Sequence, residues 1–334
     1  MSVELVRTDP RAPEWDGTAD RFTDSVFFRG SWITAVAVGF SAMDFCVVAT
    51  DDGAPVALCP GVIIRRGPFR VFYSGIPFGG VEGTPEGRRA LFERLPEVLA
   101  SEGVHRIRLQ PLPGSTGEGD GYERIPVLFP LLGLEPLRGR DLLDCIAGNP
   151  RRDVRRAIRE GVEVRTVDGP GGALEFFGLY RMSQARNRAY ARYPLQYFEA
   201  ITDLPCDLAP RFSLALIGGT PAAGMVTVRS GGTVHYLHGG IDYRFRKHCA
   251  SDLLIFRALE TAVSEGADEF DFGGTSPSDG NLLRYKCKWG AKAEEVPVLS
   301  LDVSPFMCRA MDMALRIASL RPAWLGGGGG HGAG

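Results

Sequence analysis

The chain has 334 residues, enough for two domains of ordinary size. Hydrophobic residues make up 44% and charged residues 23%, the balance of a soluble globular protein, and no apolar run approaches the ~20 residues that span a bilayer. A net charge of −2 removes any whole-protein argument for nucleic acid, and seven scattered cysteines with no CxxC and no Cys/His spacing argue against a disulfide framework and a zinc site. Met1-Ser2-Val3-Glu4 has no basic region followed by an apolar core, so no signal peptide is visible, and a cytoplasmic protein without a metal is expected.

Residues 1 to about 24 are rich in Pro and Asp and read as an extended entry. Ser25 to Phe40 reads as a helix, with Phe28, Trp32 and Val36 four residues apart. Phe45 to Thr50, Ala54 to Arg65 and Phe69 to Ser74 read as strands, joined by Asp52-Gly53 and Arg66-Gly67 turns. A glycine-rich loop, Tyr73-Ser74-Gly75-Ile76-Pro77-Phe78-Gly79-Gly80, follows. Pro85 to Ser101 is an amphipathic helix with Leu91, Leu95, Val98 and Leu99 on one face, and His105 to Gln110 alternates as a strand.

From Asn149 the pattern restarts. Asn149-Pro150 opens a helix through Glu160, Gly161 ends it, and Val162 to Val167 alternates as a strand. Ala173 to Tyr190 and Leu195 to Thr202 read as helices. Phe212 to Ile217, Ala222 to Val228 and Thr233 to His238 form a meander with Gly218-Gly219 and Gly231-Gly232 turns. A helix from Ser251 carries Leu253, Leu254, Phe256, Leu259, Ala262 and Val263 on one face and stops at Gly266. A short strand, Glu269 to Phe272, a helix to Trp289, a strand at 296–301 and a helix from Ser304 to Leu320 complete the chain before a glycine-rich tail. The halves share an order of elements but no evident sequence identity. The expectation is an α/β (α+β) fold of two tandem domains, 1–147 and 148–303, each a mixed, mostly antiparallel sheet flanked by helices, then a helix at 304–325 and a flexible tail at 326–334.

The most informative stretch runs from His235 to Gly290. It contains Asp271-Phe272-Gly273 at a strand end and, downstream, Tyr285-Lys286-Cys287-Lys288-Trp289-Gly290. This "DFG" strand end followed by an aromatic-Lys-x-x-aromatic-Gly segment resembles the C-terminal domain of the Fem-like acyltransferases, a branch of the GCN5-related N-acetyltransferase (GNAT) superfamily. Together with the Trp32 helix, the first meander and the Pro-Phe-Gly-Gly loop, the resemblance covers roughly residues 22–300. It implies tandem GNAT-like domains and amide-forming aminoacyl transfer in the cleft between them.

Aminolysis of an ester or thioester passes through an oxyanion that a fixed cation stabilises. The resemblance implies that role for Lys286, with Tyr285 as its aromatic neighbour; the bland alternative, a solvated helix lysine, fits Lys288 better. Asp271 either accepts a proton from the attacking amine or caps the following turn. His235 and His238, three apart on a strand, are expected on opposite faces, which excludes a simple metal pair and leaves His238, beside Gly239-Gly240, to line the cleft. The resemblance places Tyr73, Ser74, Phe78 and Gly79 on the acceptor side of that cleft; an ordinary structural loop is the alternative.

Donor contacts are expected from two basic regions. Arg246, Lys247 and Ser251 flank the start of a helix, a place that suits phosphate. In the acetyl-CoA-using branch this loop reads Arg/Gln-x-x-Gly-x-Gly/Ala; here Arg246-Lys247-His248-Cys249-Ala250-Ser251 lacks both glycines. Between Arg151 and Arg192 ten arginines face five acids, and Arg181, Arg186, Arg188 and Arg192 interleave with Tyr190 and Tyr193. That mixture suits the acceptor end of a tRNA, where phosphates attract Arg and unstacked bases stack on Tyr; a solvated helix face is the alternative. Aminoacyl-tRNA is therefore the expected donor, with acyl-CoA second, a small-molecule or peptide amine the acceptor, and no bound cofactor. A catalytically silent binding module is the reading from another class.

Overall fold

The computed structural model describes residues 3–114, 119–146, 148–187 and 192–320. The N-terminal half contains β1 (Glu4–Thr8), α1 (Pro13–Ala19), α2 (Gly30–Gly39), β2 (Met43–Asp44), β3 (Cys46–Asp51), β4 (Ala54–Cys59), β5 (Val62–Arg66), β6 (Phe69–Tyr73), β7 (Glu82–Gly83), α3 (Pro85–Ser101), β8 (Arg106–Leu109), β9 (Glu123–Ile125), β10 (Leu128–Gly133) and α4 (Leu142–Cys145). The C-terminal half contains α5 (Asn149–Arg159), β11 (Glu163–Val167), α6 (Gly169–Arg186), α7 (Leu195–Thr202), β12 (Arg211–Ile217), β13 (Thr220–Ser230), β14 (Thr233–Ile241), α8 (Ala250–Ser264), β15 (Glu269–Asp271), α9 (Gly280–Cys287), β16 (Lys292–Glu295), β17 (Val298–Asp302) and α10 (Pro305–Leu320).

The sheets are mixed and mostly antiparallel, as the sequence implies. The N-terminal half forms sheets of order β1-β3-β4-β7 and β2-β5-β6-β8-β17-β9, and the C-terminal half forms β11-β12-β13-β14-β15-β10-β16. Among the described strands β6 with β8 and β14 with β15 run parallel, and the other pairs run antiparallel. Each sheet system borrows a strand across the 147/148 boundary. Leu131 to Gly133 of β10 pair with Glu269 to Asp271 in the C-terminal sheet, and β17 inserts between β8 and β9 in the N-terminal one. The two halves are thus stitched by their own ladders.

Local chemistry sets the element ends. Thr84 caps α3 by accepting from the Gly87 amide at 3.2 Å, ahead of Pro85 in the first turn, and Asp279 caps α9 by accepting from the Leu282 amide at 3.0 Å. The extended entry is overturned. Residues 13–19 form a helix because Trp15 is fully buried and donates its indole N–H to Phe28 O at 2.7 Å. The Ala54 to Arg65 strand divides into β4 and β5 at Pro60-Gly61, where Pro60 has no amide for the ladder. Tyr190 and the tail at 326–334 lie outside the described residues.

A core shared by both halves fills the space between them. It joins Phe27, Phe28, Trp32 and Phe78 to Phe176, Tyr180, Tyr197, Phe198 and Phe212. α8 and α5 cover the other face of the C-terminal sheet, and α3 covers the N-terminal one. α2 crosses α7 so closely that a Cβ at Gly39 would lie 2.4 Å from the Tyr197 Cα. Backbone cannot yield as a flexible side chain does, so Gly39→Ala is expected to cost about 1–3 kcal/mol of unfolding free energy by overpacking. Urea denaturation that finds the variant as stable as the parent would show that the two helices separate freely.

Candidate active site

β14 and β15 pair only from Thr233 to His235 against Glu269 to Asp271. Beyond that, β14 continues to Ile241 beside β13, while the chain leaves β15 through Phe272-Gly273-Gly274. The strands part at His235 and Asp271, and the residues of interest gather at that fork.

Asp271 is 0% exposed. Its Oδ2 lies 2.9 Å from His235 Nδ1, and its Oδ1 accepts from the Gly273 amide at 2.7 Å. Gly273 has φ +77°, and a Cβ there would come within 2.7 Å of Tyr236 O, so both conformation and space call for glycine. Lys286, on α9 and 8% exposed, donates from Nζ to Gly273 O at 2.8 Å and Gly274 O at 3.2 Å. Burial pulls its pKa down to about 8, a fall opposed by the nearby Asp271 and Asp279 carboxylates. The result is an ammonium group gripped by neutral carbonyls at the fork, with a third N–H unspent.

Two sequence expectations change here. Asp271 caps the Gly273 turn and holds His235; with both oxygens engaged and no exposed surface it does not meet an amine itself. His235 and His238 share a face. β13 and β14 change register between Val226 and Thr227, so Val226 pairs with His238 and Thr227 with Tyr236, and Leu237 is the extra residue of a bulge. His235, 4% exposed, packs on Phe27 and Phe78 with ring centroids 5.2 Å away in each case. His238 is buried among Tyr180, Tyr193, Tyr197 and Phe198, with Nε2 3.2 Å from the Tyr197 hydroxyl; desolvation pulls its pKa down to about 3. His238 is therefore a neutral core residue, and His235 is the histidine at the fork. The signal that finds it is spatial: its carboxylate partner lies 36 residues away.

Tyr285 points away from the Lys286 ammonium. Its hydroxyl is buried near the Asp252 carboxylate, which holds the phenol well above its ordinary pKa, burial being the larger cause. Lys288 Nζ sits 4.5 Å from the Tyr285 ring centroid, donates to Asp252 Oδ1 at 2.6 Å and lies 3.4 Å from Asp153 Oδ2. Lys288 is thus a half-buried tie between α5, α8 and α9, and the expected solvated lysine is not found. The expected acceptor loop is tightly built. Ser74, fully buried, spends its Oγ on the amides of Gly80 at 2.8 Å and Gln110 at 3.2 Å, which leaves it a loop-closing residue. Gly79 is fixed by the Ser74 carbonyl, 2.0 Å from where its Cβ would be, and Tyr73 is half-buried against the shared core. Of this group Phe78 alone touches the fork residues, through His235.

The expected donor residues divide as well. Arg246 and Lys247 are exposed on a 3-10 turn, Tyr243–His248, while Ser251 is half-buried in the first turn of α8. The Arg186 and Arg246 guanidiniums both lie against the Tyr243 ring, 3.3 and 4.5 Å from its centroid. Arg192 is exposed, but Tyr193 packs 4.3 Å from the His238 centroid, and burial pushes its phenol up to about 12. It is a wall of the core, unavailable as a stacking platform. Arg188 lies outside the described residues.

Residues 148–286 match the acetyltransferase (GNAT) domain family. The match runs from the start of α5 into α9 and ends at Lys286. No curated protein sequence matches the chain. Among solved structures, FemX aligns with a TM-score of 0.65 at 14% identity, over 92% of this chain and 99% of FemX. L-PGS from Bacillus licheniformis aligns at 0.57 and 13%, over 94% and 98%. A tandem GNAT protein from the clavulanic acid biosynthesis pathway aligns at 0.57 and 14%, over 91% and 99%. These likenesses extend through the N-terminal half, and the whole chain shares the tandem GNAT fold of these structures. Among the described residues no helix is long and apolar enough to cross a membrane.

The Lys288 tie is the testable part of this GNAT scaffold. Removing the cation from a carboxylate as enclosed as Asp252 is expected to cost about 2–4 kcal/mol, near the range for breaking a buried pair. Burial already holds the Asp252 carboxyl up, so in Lys288→Met the folded state takes a proton more readily than the unfolded chain. Stability of the variant should then rise as pH falls from 7 to 5. Chemical denaturation across that range showing a fall, or no deficit at pH 7, would contradict the assignment.

Proposed function

We propose that this tandem GNAT chain moves an aminoacyl group from aminoacyl-tRNA onto an amine of a small molecule or peptide. The observation that carries the reading is Lys286, nearly buried and held by the Gly273 and Gly274 carbonyls where β14 and β15 part. As the amine attacks the acyl carbonyl, negative charge gathers on the carbonyl oxygen. The third N–H of Lys286 is placed to meet it in a site where charge is poorly screened.

Two features favour an aminoacyl ester over a thioester of CoA. Where the CoA-binding loop has glycines, this chain has Cys249, left-handed at φ +54°, and the first turn of α8 carries Asp252. Neither glycine position leaves the bare backbone that would let a pyrophosphate approach the helix N-terminus closely, since Cys249 and Ser251 both carry side chains. The exposed Arg186, Arg246, Lys247 and Arg192, with Tyr243 among them, offer charge and an aromatic face that suit the single-stranded end of a tRNA. The fold likeness to FemX and to the C-terminal domain of a lysylphosphatidylglycerol synthetase described for Agrobacterium fabrum supports aminoacyl transfer as the general class. The clavulanic acid pathway protein, whose structure was described without AcCoA, keeps acyl-CoA as the second reading.

Label from a mixed pool of charged tRNAs should pass into amines of a cell extract, and ribonuclease should abolish it. Transfer that needs acyl-CoA and ignores ribonuclease would replace the donor; no transfer from either would favour a binding module. Lys286→Ala should lower kcat about 10²–10³-fold, the usual loss for one oxyanion donor. A group needed as a cation with pKa about 8 makes kcat fall as pH rises through 8. A rise there would mean that the neutral amine acts as a base.

A further inference from the structure

Amide formation at this fork leaves one proton unassigned. An amine acceptor must lose a proton to bond to the acyl carbon, and Asp271 is closed off from it. The group behind which Asp271 stands is not. His235 Nδ1 faces Asp271 Oδ2 at 2.9 Å, while Asp271 Oδ1 already accepts from Gly273. A carboxylate accepting on both oxygens makes Nδ1 the protonated ring nitrogen and leaves Nε2 with its lone pair. Among the described residues Nε2 has no hydrogen-bond partner, although the imidazole is more than nine-tenths buried. A ring nitrogen with a lone pair and no protein donor on it is free to accept a proton from a ligand. The ring packs against the touching pair Phe27 and Phe78, and Phe78 belongs to the glycine-rich loop expected to face the acceptor.

We propose that His235 is the general base of the transfer, accepting the proton of the acceptor amine at Nε2 directly or through one water. This rests on the acyl-transfer reading of the site. Nε2 takes the proton as the amine nitrogen bonds to the acyl carbon, and the carbonyl π pair moves onto oxygen beside Lys286. When the oxyanion reforms the carbonyl, the acyl C–O bond breaks and the departing hydroxyl oxygen takes the proton from Nε2. Ester and amine become amide and alcohol, and the imidazole ends neutral. Asp271 is the positioning residue, fixing the tautomer and steadying the imidazolium. Asp271 and Glu269 on β15 are the titratable groups that act on His235, and Lys286 on α9 lies beyond Asp271. From the N-terminal half the rings of Phe27 and Phe78 pack on it.

The test is the pH profile of transfer by the full chain with a charged tRNA pool. His235→Gln should lose 10²–10⁴-fold in kcat and lose the acidic limb of the profile, with imidazole restoring part of the rate. Asp271→Asn should also slow transfer. A His235→Gln enzyme that keeps both the rate within tenfold and the acidic limb overturns the proposal, and leaves the Lys286 reading intact. Should His235→Gln not fold, the wild-type chain still decides, because 15N chemical shifts report the tautomer. Neutral His235 with the proton on Nδ1 is expected, and a proton on Nε2 overturns the proposal. Absence of transfer from any donor would remove acyl transfer itself, a result distinct from either.

Discussion

The site depends on three residue pairs. β14 and β15 hold together only from Thr233 to His235, and parallel pairing that ends so early leaves backbone groups to be satisfied elsewhere. Asp271 takes the Gly273 amide, and Lys286 takes the Gly273 and Gly274 carbonyls. The polar side chains at the fork are therefore repairs to an interrupted ladder as well as candidate chemistry. That double duty explains why they are buried yet charged, a combination a core would otherwise reject.

The corresponding place in the N-terminal half is built in the opposite way. β6 and β8 are also parallel and also pair over three residues, Val71 to Tyr73 against Arg106 to Arg108. There the gap is closed by the loop itself. Ser74 N donates to Arg108 O, Gly79 N donates to Gln110 O, and Ser74 Oγ accepts from two amides. The loop's own backbone and one hydroxyl do there what Asp271 and Lys286 do in the C-terminal half, and the N-terminal copy contributes the Phe78 ring against His235.

Much of this was legible in the sequence, and the failures share a cause. Lys286 and Asp271 are singled out by a motif resemblance, the strand end Asp271-Phe272-Gly273 followed by Tyr285-Lys286, and the structure brings both to one fork. Helices and meander strands are readable from periodicity, which is a local pattern. The faces of His235 and His238 were misread because one extra residue, Leu237, breaks the alternation, and a bulge leaves no mark in hydrophobic pattern. Tyr193 reads as exposed beside arginines, yet its ring is claimed by Tyr180, Tyr197 and His238 from other elements. The strand exchange is invisible for the same reason: Leu301 meets Ile107 across almost two hundred residues. What a residue pairs with at long range is a tertiary fact, and local pattern carries no trace of it.

The way Lys286 is held also bears on what it can do. A lysine neutralised by a dedicated carboxylate would present little net field to a developing oxyanion. Lys288 is such a lysine, with Asp252 at 2.6 Å and Asp153 at 3.4 Å, and its charge is spent on joining helices. Lys286 is instead oriented by two neutral carbonyls, and the nearby Asp271 has directed its oxygens to His235 and Gly273. Dipoles fix the ammonium in place without cancelling its charge, and the cost appears as a pKa drawn down to about 8. Two lysines two residues apart on one chain segment thus differ in kind: Lys288 closes the scaffold through carboxylates, and Lys286 is held by neutral carbonyls with its charge uncancelled.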